Sequence, residues 1–415
     1  MQYDYDFGAS PGDLTVNSSP ALQKEIDHLI DEGGGSFFLR NAPYRIDEPL
    51  SLGSNVQLIG KGPETEIIQF ESDIPIVKID KEALNFNWAI RDLRLSYNEL
   101  QPAENTGAQA IVLSEANKIS YLYDITNLLI YGAYNGISLP EATGCQSFLG
   151  DFRNLSVYQC SDYGVMIKGA ASGANTNLHF DNVWVNNKSG EERTGSKGFD
   201  IRRVDGIEMT NCGCDHIQGL PFNFNTVRGR AGTLWAESCD LTASSGAASF
   251  LSITGSELDI ALFYAVSNVI ALTGSADCYL VYSNTGSEVR IGTVDDRLND
   301  LTKDAGAYYT TNIDSTSLLS IDRFKYSAHA TRPVPNANHA DFAIEKRLRF
   351  FDGNERSSVR GGKLHTYGTV APVSGTRAVG DIHWNTTTTT GGPLGWFCIT
   401  AGSPGTWQPF GLGVP

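Results

Sequence analysis

Acidic and basic side chains crowd one stretch of this sequence. Glu191, Glu192 and Arg193 are followed by Asp200, Arg202, Arg203 and Asp205, then by Asp215 and His216, then by Arg228 and Arg230. Tyr163 stands upstream and Asn223 within the stretch. Two or three carboxylates with cations beside them suit glycoside hydrolysis. One acid protonates the leaving oxygen, and a second carboxylate about 5–9.5 Å away acts as base or nucleophile. Asp200 and Asp215 are the expected principal acids, Glu191 or Glu192 the reserve second acid, and His216 the group that orients a carboxylate. Arg202, Arg228 and Arg230 are expected to hold acidic or hydroxyl groups of a substrate, with Asn223 and Tyr163 beside them. The same stretch admits β-elimination, in which Tyr163, His216 or a basic side chain takes the proton α to a uronate carboxyl. An arginine would then neutralise the developing enolate.

Each of these residues also has a plain structural role. Asp200 can salt-bridge Arg202 or Arg228 on a solvated sheet, and Glu191, Glu192 and Arg193 can be solvated loop charge. Asp215 and His216 can close a turn through their side chains. Glu237 and Asp240 form another acid pair, but they flank a turn on the far side of the coil. They are a reserve for a groove that lies between subunits.

The elements that must position these groups are legible as a repeat. IRDLRL at 90–95, ITNLLI at 125–130, FRNLSV at 152–157 and FDNVWV at 180–185 place an Asp or Asn at intervals of 35, 27 and 28 residues. A second track, AIVL at 110–113, GISL at 136–139, GVMI at 164–167 and GFDI at 198–201, runs between them. Strands this short can satisfy their backbones only by pairing with their equivalents one coil away, which winds the chain into a parallel β-helix. The Asn suits a tight bend, because it tolerates left-handed backbone and can hydrogen-bond to the next coil. Insertions interrupt the period at 97–109 and 186–197. Ser19-Pro20, then Leu22, Ile26, Leu29 and Ile30, then glycines 33–35, predict one amphipathic helix with Ser19 as N-cap, closing the end of the core.

The amino-terminal order DFGA (6–9), ALQ (21–23), GGGSFFL (33–39), YRI (44–46), PL (49–50) and NVQLIGKG (55–62) resembles the opening of the pectate-lyase-like right-handed β-helices. These occur in phage tailspikes and in polysaccharide lyases, hydrolases and epimerases. The resemblance covers roughly residues 4–300. GDIHWN at 380–385 and GGPLGWFCITAGSPGTW at 391–407 are similar to an ending found on many tailspikes and tail fibres. The resemblance implies an all-β fold: a solenoid with an amino-terminal helical cap and a small carboxy-terminal β module. Expected divisions are 1–60 for the cap and first coils, 61–300 for the catalytic solenoid, 301–330 for a junction, and 331–415 for a module serving trimerisation or glycan binding. Trp384, Trp396 and Trp407 are expected to form that module's core.

The resemblance also implies a phage tailspike depolymerase that recognises and endo-cleaves a capsular or O-antigen polysaccharide, assembles as a homotrimer and joins the tail or baseplate, directly or through an adaptor. A polysaccharide lyase, a non-cleaving receptor-binding spike and a secreted bacterial enzyme are the alternatives. In this fold family the substrate groove follows the outer face of the Gly-led strand. Alternation along that strand turns Ser138, Met166, Asp200 and Asn223 outward in file, about 4.8 Å apart. Calcium-dependent pectate lyases carry several acids on such a file. Here Asp200 is the one acid in it, and with no CxxC, HxxxH or phosphate loop, no metal or cofactor is expected.

Bulk properties narrow the field further. A net charge of −16 disfavours a nucleic-acid partner, which needs clustered cations. No run approaches the ~18 apolar residues of a membrane span, and the start has no signal-peptide pattern. The chain begins almost at the cap, so a virion-attachment segment is expected to be missing or replaced by an adaptor. The seven cysteines are expected to be reduced and buried, with Cys212 and Cys239 stacked one coil apart.

Overall fold

The structure is a computed structural model. It describes residues 2–3, 8–190, 195–243, 247–272, 277–297, 300–303, 308–313, 316–326, 348–352, 355–360, 363–373, 375–387 and 389–412. Within them the chain winds as a right-handed parallel β-helix. Ile90, Ile125, Phe152 and Phe180 stand in register on successive coils. Ile137, Val165, Phe199 and Phe222 form a second inward file. All eight are fully buried, as the alternation of a one-sided strand requires. Aromatic rings stack along the axis, with centroids 4.5 Å apart for Trp88 and Tyr123 and 4.4 Å for Phe152 and Phe180. Burying one such side chain contributes roughly 1.5–3 kcal/mol.

A coil has a first strand such as Tyr163–Ile167, then a bent segment such as Asn175–Asn186 that supplies the second and third strands. The bend between second and third strands falls on the repeated Asp or Asn. Asp92, Asn127, Asn154, Asn182 and Asn211 all adopt positive φ, between 52° and 56°. Their side chains form a ladder: Asn127 Nδ2 donates to Asp92 Oδ1 (2.7 Å), Asn154 to Asn127 (3.0 Å), Asn182 to Asn154 (3.1 Å) and Asn211 to Asn182 (3.1 Å). Other corners put less tolerant residues in the same left-handed region: Leu122, Leu149, Arg203, His216 and Thr226. There the parallel ladder on both sides overrides local preference.

Helix α1 (Ser19–Asp31) closes the first coils with Leu22, Ile26 and Leu29 buried beneath it. The N-cap lies one residue earlier than expected. Ser18 is the N-cap and makes no side-chain capping bond; Asn17 Oδ1 instead accepts the Ser19 N–H at 2.9 Å. At the other end, parallel pairing continues through Leu318–Tyr326, past the expected end near residue 300. The inward positions Val289, Ile291, Val294, Leu319 and Ile321 stay apolar and buried, while charged outward neighbours mask the pattern in sequence.

The six-stranded sheet beyond it spans Leu348–Asp352 to Thr406–Leu412. Its tryptophans are only partly buried. Trp396 and Trp407 flank the buried His383 at 5.7 and 6.2 Å, and Trp384 Nε1 donates to His365 Nδ1 at 3.1 Å. The expected tryptophan core is therefore a tryptophan rim around histidines and Cys398.

All seven cysteines are free and buried. Burial raises the Cys145 thiol to about 11 and that of Cys212 to about 12, so neither is a ready nucleophile. Cys212 lies opposite Leu234, not Cys239, whose Sγ approaches the Cys214 carbonyl at 3.7 Å. The coil above Cys212 is shorter than the earlier ones, and this moves every later residue forward in phase.

Candidate functional site

The first-strand file forms as its alternation requires. Ser138 pairs with Met166, Met166 with Asp200 and Asp200 with Asn223. Outward here does not mean exposed, since Ser138 and Asp200 are 0% accessible. The Asp200 carboxylate is covered by its neighbours. Arg202 donates Nε to Oδ1 and Nη2 to Oδ2, each at 2.9 Å, and Asn223 Nδ2 donates to Oδ1 at 2.8 Å. Lys168 Nζ lies 3.6 Å from Oδ2. The hydrogen bond to Asp200 raises the Arg202 pKa, so this guanidinium is a fixed cation. A bidentate fork with two further donors is the geometry of an anchor.

Tyr163 borders this cluster. Lys197 Nζ lies 4.7 Å and Lys168 Nζ 5.8 Å from its ring centroid, and Lys197 also meets Asp162 at 2.6 Å. Burial, then the charges of Asp200 and Asp162, raise the Tyr163 hydroxyl well above its ordinary value. It is a hydrogen-bond donor at neutral pH, not a base. Arg203 turns away and donates to Glu141 Oε1 (3.0 Å) and to the carbonyls of Lys168 and Gly169 (3.1 Å each). The bends at Arg203 and Thr226 carry Arg228 and Arg230 onto the second-strand face. There Arg228 approaches Glu257 at 3.7 Å and Arg230 meets Glu208 at 2.8 Å. The structure therefore gathers Asp200, Arg202, Asn223 and Tyr163, and it sets Arg228 and Arg230 apart from them.

Asp215 belongs to a different file, at the end of the third strand. It pairs with Asn186 on the coil below and with Glu237 on the coil above. Glu237 is thus not on the far side of the coil. The short intervening coil advances the phase and sets it directly over Asp215. The two acids stand about one coil rise apart at the backbone, roughly 4.8 Å, and each is partly exposed. His216, left-handed at φ 54°, brings Nδ1 to 2.6 Å from Asp215 Oδ1. That oxygen accepts no hydrogen bond, so the two groups are in close contact but out of line for an N–H bond. Glu237 has no ion-pair partner among the described residues. Asp240 starts the strand Asp240–Ala243, which pairs with Val269–Leu272. Glu191 and Glu192 lie outside the described residues.

The neighbouring outward file of the third strands carries Trp184, Gly213, Trp235 and Tyr264 in register. Alternation after the Asn turn predicts these aromatics, yet they escape notice when only charged groups are sought. Trp235 and Tyr264 stack on each other at 4.0 Å, and Trp184 tilts toward Trp235 at 6.4 Å. A Cβ on Gly213 would lie 2.5 Å from Trp184 Cζ3, so the glycine is what lets that indole fold over its coil. The stacked faces brace the coils beside the Asp215–Glu237 corner.

No protein-family model matches the sequence, and no curated protein does. Solved structures do match. The gp42 tailspike of Acinetobacter phage vb_AbaP_AS12 superposes with a TM-score of 0.53 over 85% of this chain at 14% identity. The ORF18 protein of Geobacillus virus E2 gives 0.50 over 98% of the chain and 76% of its own length, at 11% identity. The chain spans 63% of the length of the Acinetobacter phage tailspike. At such identities the common property is the fold, and this chain has the parallel β-helix of phage tailspikes.

Proposed function

We propose that this chain is the shaft of a phage tailspike that recognises a bacterial capsular or O-antigen polysaccharide and cuts it internally by glycoside hydrolysis. Asp215 and Glu237 are the acid pair in this reading. The observation that carries it is their register: two partly exposed carboxylates one coil apart on one outward file. One protonates the leaving glycosidic oxygen, and the other activates water or attacks the anomeric carbon. His216 packs against Asp215 and would orient it only on turning its ring into line for a hydrogen bond. Asp200 is the buried anchor that holds Arg202 and Lys168, and with Asn223 and the Tyr163 hydroxyl these present donors to the glycan. Elimination is the second reading, and since Tyr163 keeps its proton at neutral pH its base would be His216 or a basic side chain. The protein would act at the host surface from the virion tail, as a homotrimer.

The test uses Asp215→Asn and Glu237→Gln. Each is expected to slow depolymerisation of the host polysaccharide about 10²-fold or more, the scale of a lost general acid or base, with unchanged circular dichroism. Wild-type rates in both variants remove this site and turn attention to Glu191 and Glu192. Products carrying added water establish hydrolysis, whereas unsaturated uronate ends establish elimination. Bound polymer of unchanged length identifies a receptor-binding spike.

A further inference from the structure

The second-strand face carries a hollow of about 200 Å³ lined by Glu208, Thr210, Arg230, Gly232, Asp259 and Ala261. Two files produce it. In one, Glu208, Arg230, Asp259 and Arg290 stand in register on four successive coils. Beside it Thr210, Gly232 and Ala261 supply small side chains and make a trough where the earlier coils carry Arg153 and Asp181.

The charges in the first file do not simply cancel. Arg230 leans down to Glu208 at 2.8 Å, and Arg290 leans up to Asp322 at 3.0 Å. Asp259, between the two arginines, is exposed and has no ion pair or hydrogen bond among the described residues. The trough therefore offers a free carboxylate acceptor, two more acceptor oxygens on Glu208 and the donor edge of Arg230 over a floor of small residues. Such a surface suits a ligand rich in vicinal hydroxyls, which donate in pairs to carboxylates and accept from guanidinium. The coil rise of about 4.8 Å is close to the length of one pyranose in an extended glycan. Successive sugars could then meet successive coils in phase.

We propose that this trough is a second saccharide-binding subsite, separate from the Asp215–Glu237 corner, that holds a segment of hydroxyl-rich polysaccharide along the solenoid axis. It rests on the reading of a polysaccharide ligand but not on where cleavage occurs. Its contacts are Asp259 and Glu208 to sugar hydroxyls, Arg230 to ring or hydroxyl oxygens, and the sugar's apolar edge over Gly232 and Ala261.

The experiment measures retention of the Asp215→Asn chain on a printed panel of purified capsular and O-antigen polysaccharides. It is compared with Asp215→Asn chains that also carry Ala261→Phe, which fills the trough from an exposed position, or Asp259→Ala. Either added change is expected to weaken binding to the retained polysaccharide about tenfold or more, the effect of losing one charged hydrogen bond or its room. Equal binding by all three chains overturns the subsite and leaves the cleavage reading standing. Retention of no polysaccharide by any chain overturns both. A fall in the light-scattering mass of the Ala261→Phe chain would identify the trough as a contact between copies and overturn the subsite.

Discussion

Asp200 and Asp215 have the same side chain and opposite surroundings, and their substitutions should separate cleanly. Asparagine at 200 would leave Arg202 and Lys168 facing a neutral group in a buried place. Removing one partner of a buried pair costs about 3–5 kcal/mol, and less here because Arg202 is 28% exposed. Asp200→Asn is therefore expected to lower unfolding stability by about 2–3 kcal/mol, read as a shift in denaturant midpoint. Asp215→Asn, half-exposed and without a bidentate partner, should stay within about 0.5 kcal/mol of the parent. A reversed order would make Asp215 the structural residue and return Asp200 to the chemistry. The sequence already displays the outward file containing Asp200. What it hides is depth, because that depends on Arg202 folding back two residues and on Asn223 reaching down from the next coil. The pairing of Asp215 with Glu237 is hidden for another reason: one short coil changes the phase, and spacing counted from the longer coils misplaces everything after it.

At the level of the element, the Asn bends are the part of the fold most openly written in the residues. Asn combines tolerance of left-handed backbone with an amide that both gives and takes a hydrogen bond, and each property can be tested separately. Asn154→Gly keeps the backbone and loses the ladder, and is expected to cost about 1–2 kcal/mol. Asn154→Ala adds the left-handed penalty of about 1–2 kcal/mol and should be the worse of the two in chemical denaturation. Equal midpoints would show that backbone strain plays no part at this corner. The bends at Leu122, Leu149 and Thr226 carry no such signature, since neither leucine nor threonine favours that region. Only the strands on either side, already committed to parallel partners, impose it. The coils between Glu288 and Tyr326 are similarly obscure, because their inward residues remain apolar while outward charge breaks the visible alternation.

For the whole molecule, each coil touches only its neighbours, so stability is close to a sum of coil and interface contributions. Lengthening a corner loop leaves the files above and below in register, and the surface can change while the shaft persists. The carboxy-terminal sheet keeps its three tryptophans only partly buried. Light scattering is expected to give three chain masses for the intact protein, consistent with closed cyclic assembly. A single-chain mass would refute the trimer and leave a monomeric shaft.

The asparagine ladder also has a sense of direction. Asp92 at its foot carries a carboxylate, which has no hydrogen to give, so Asn127 must present its NH₂ downward and its oxygen upward. Asn154 then has to orient in the same way, and so do Asn182 and Asn211. One acidic side chain thus polarises the whole column: four amide dipoles point head to tail along the shaft with their positive ends toward the anion that set them. If a single amide were reversed, two oxygens would meet on one side of it and two amino groups on the other. Asparagine at position 92 would remove that instruction, and the column could then run in either direction.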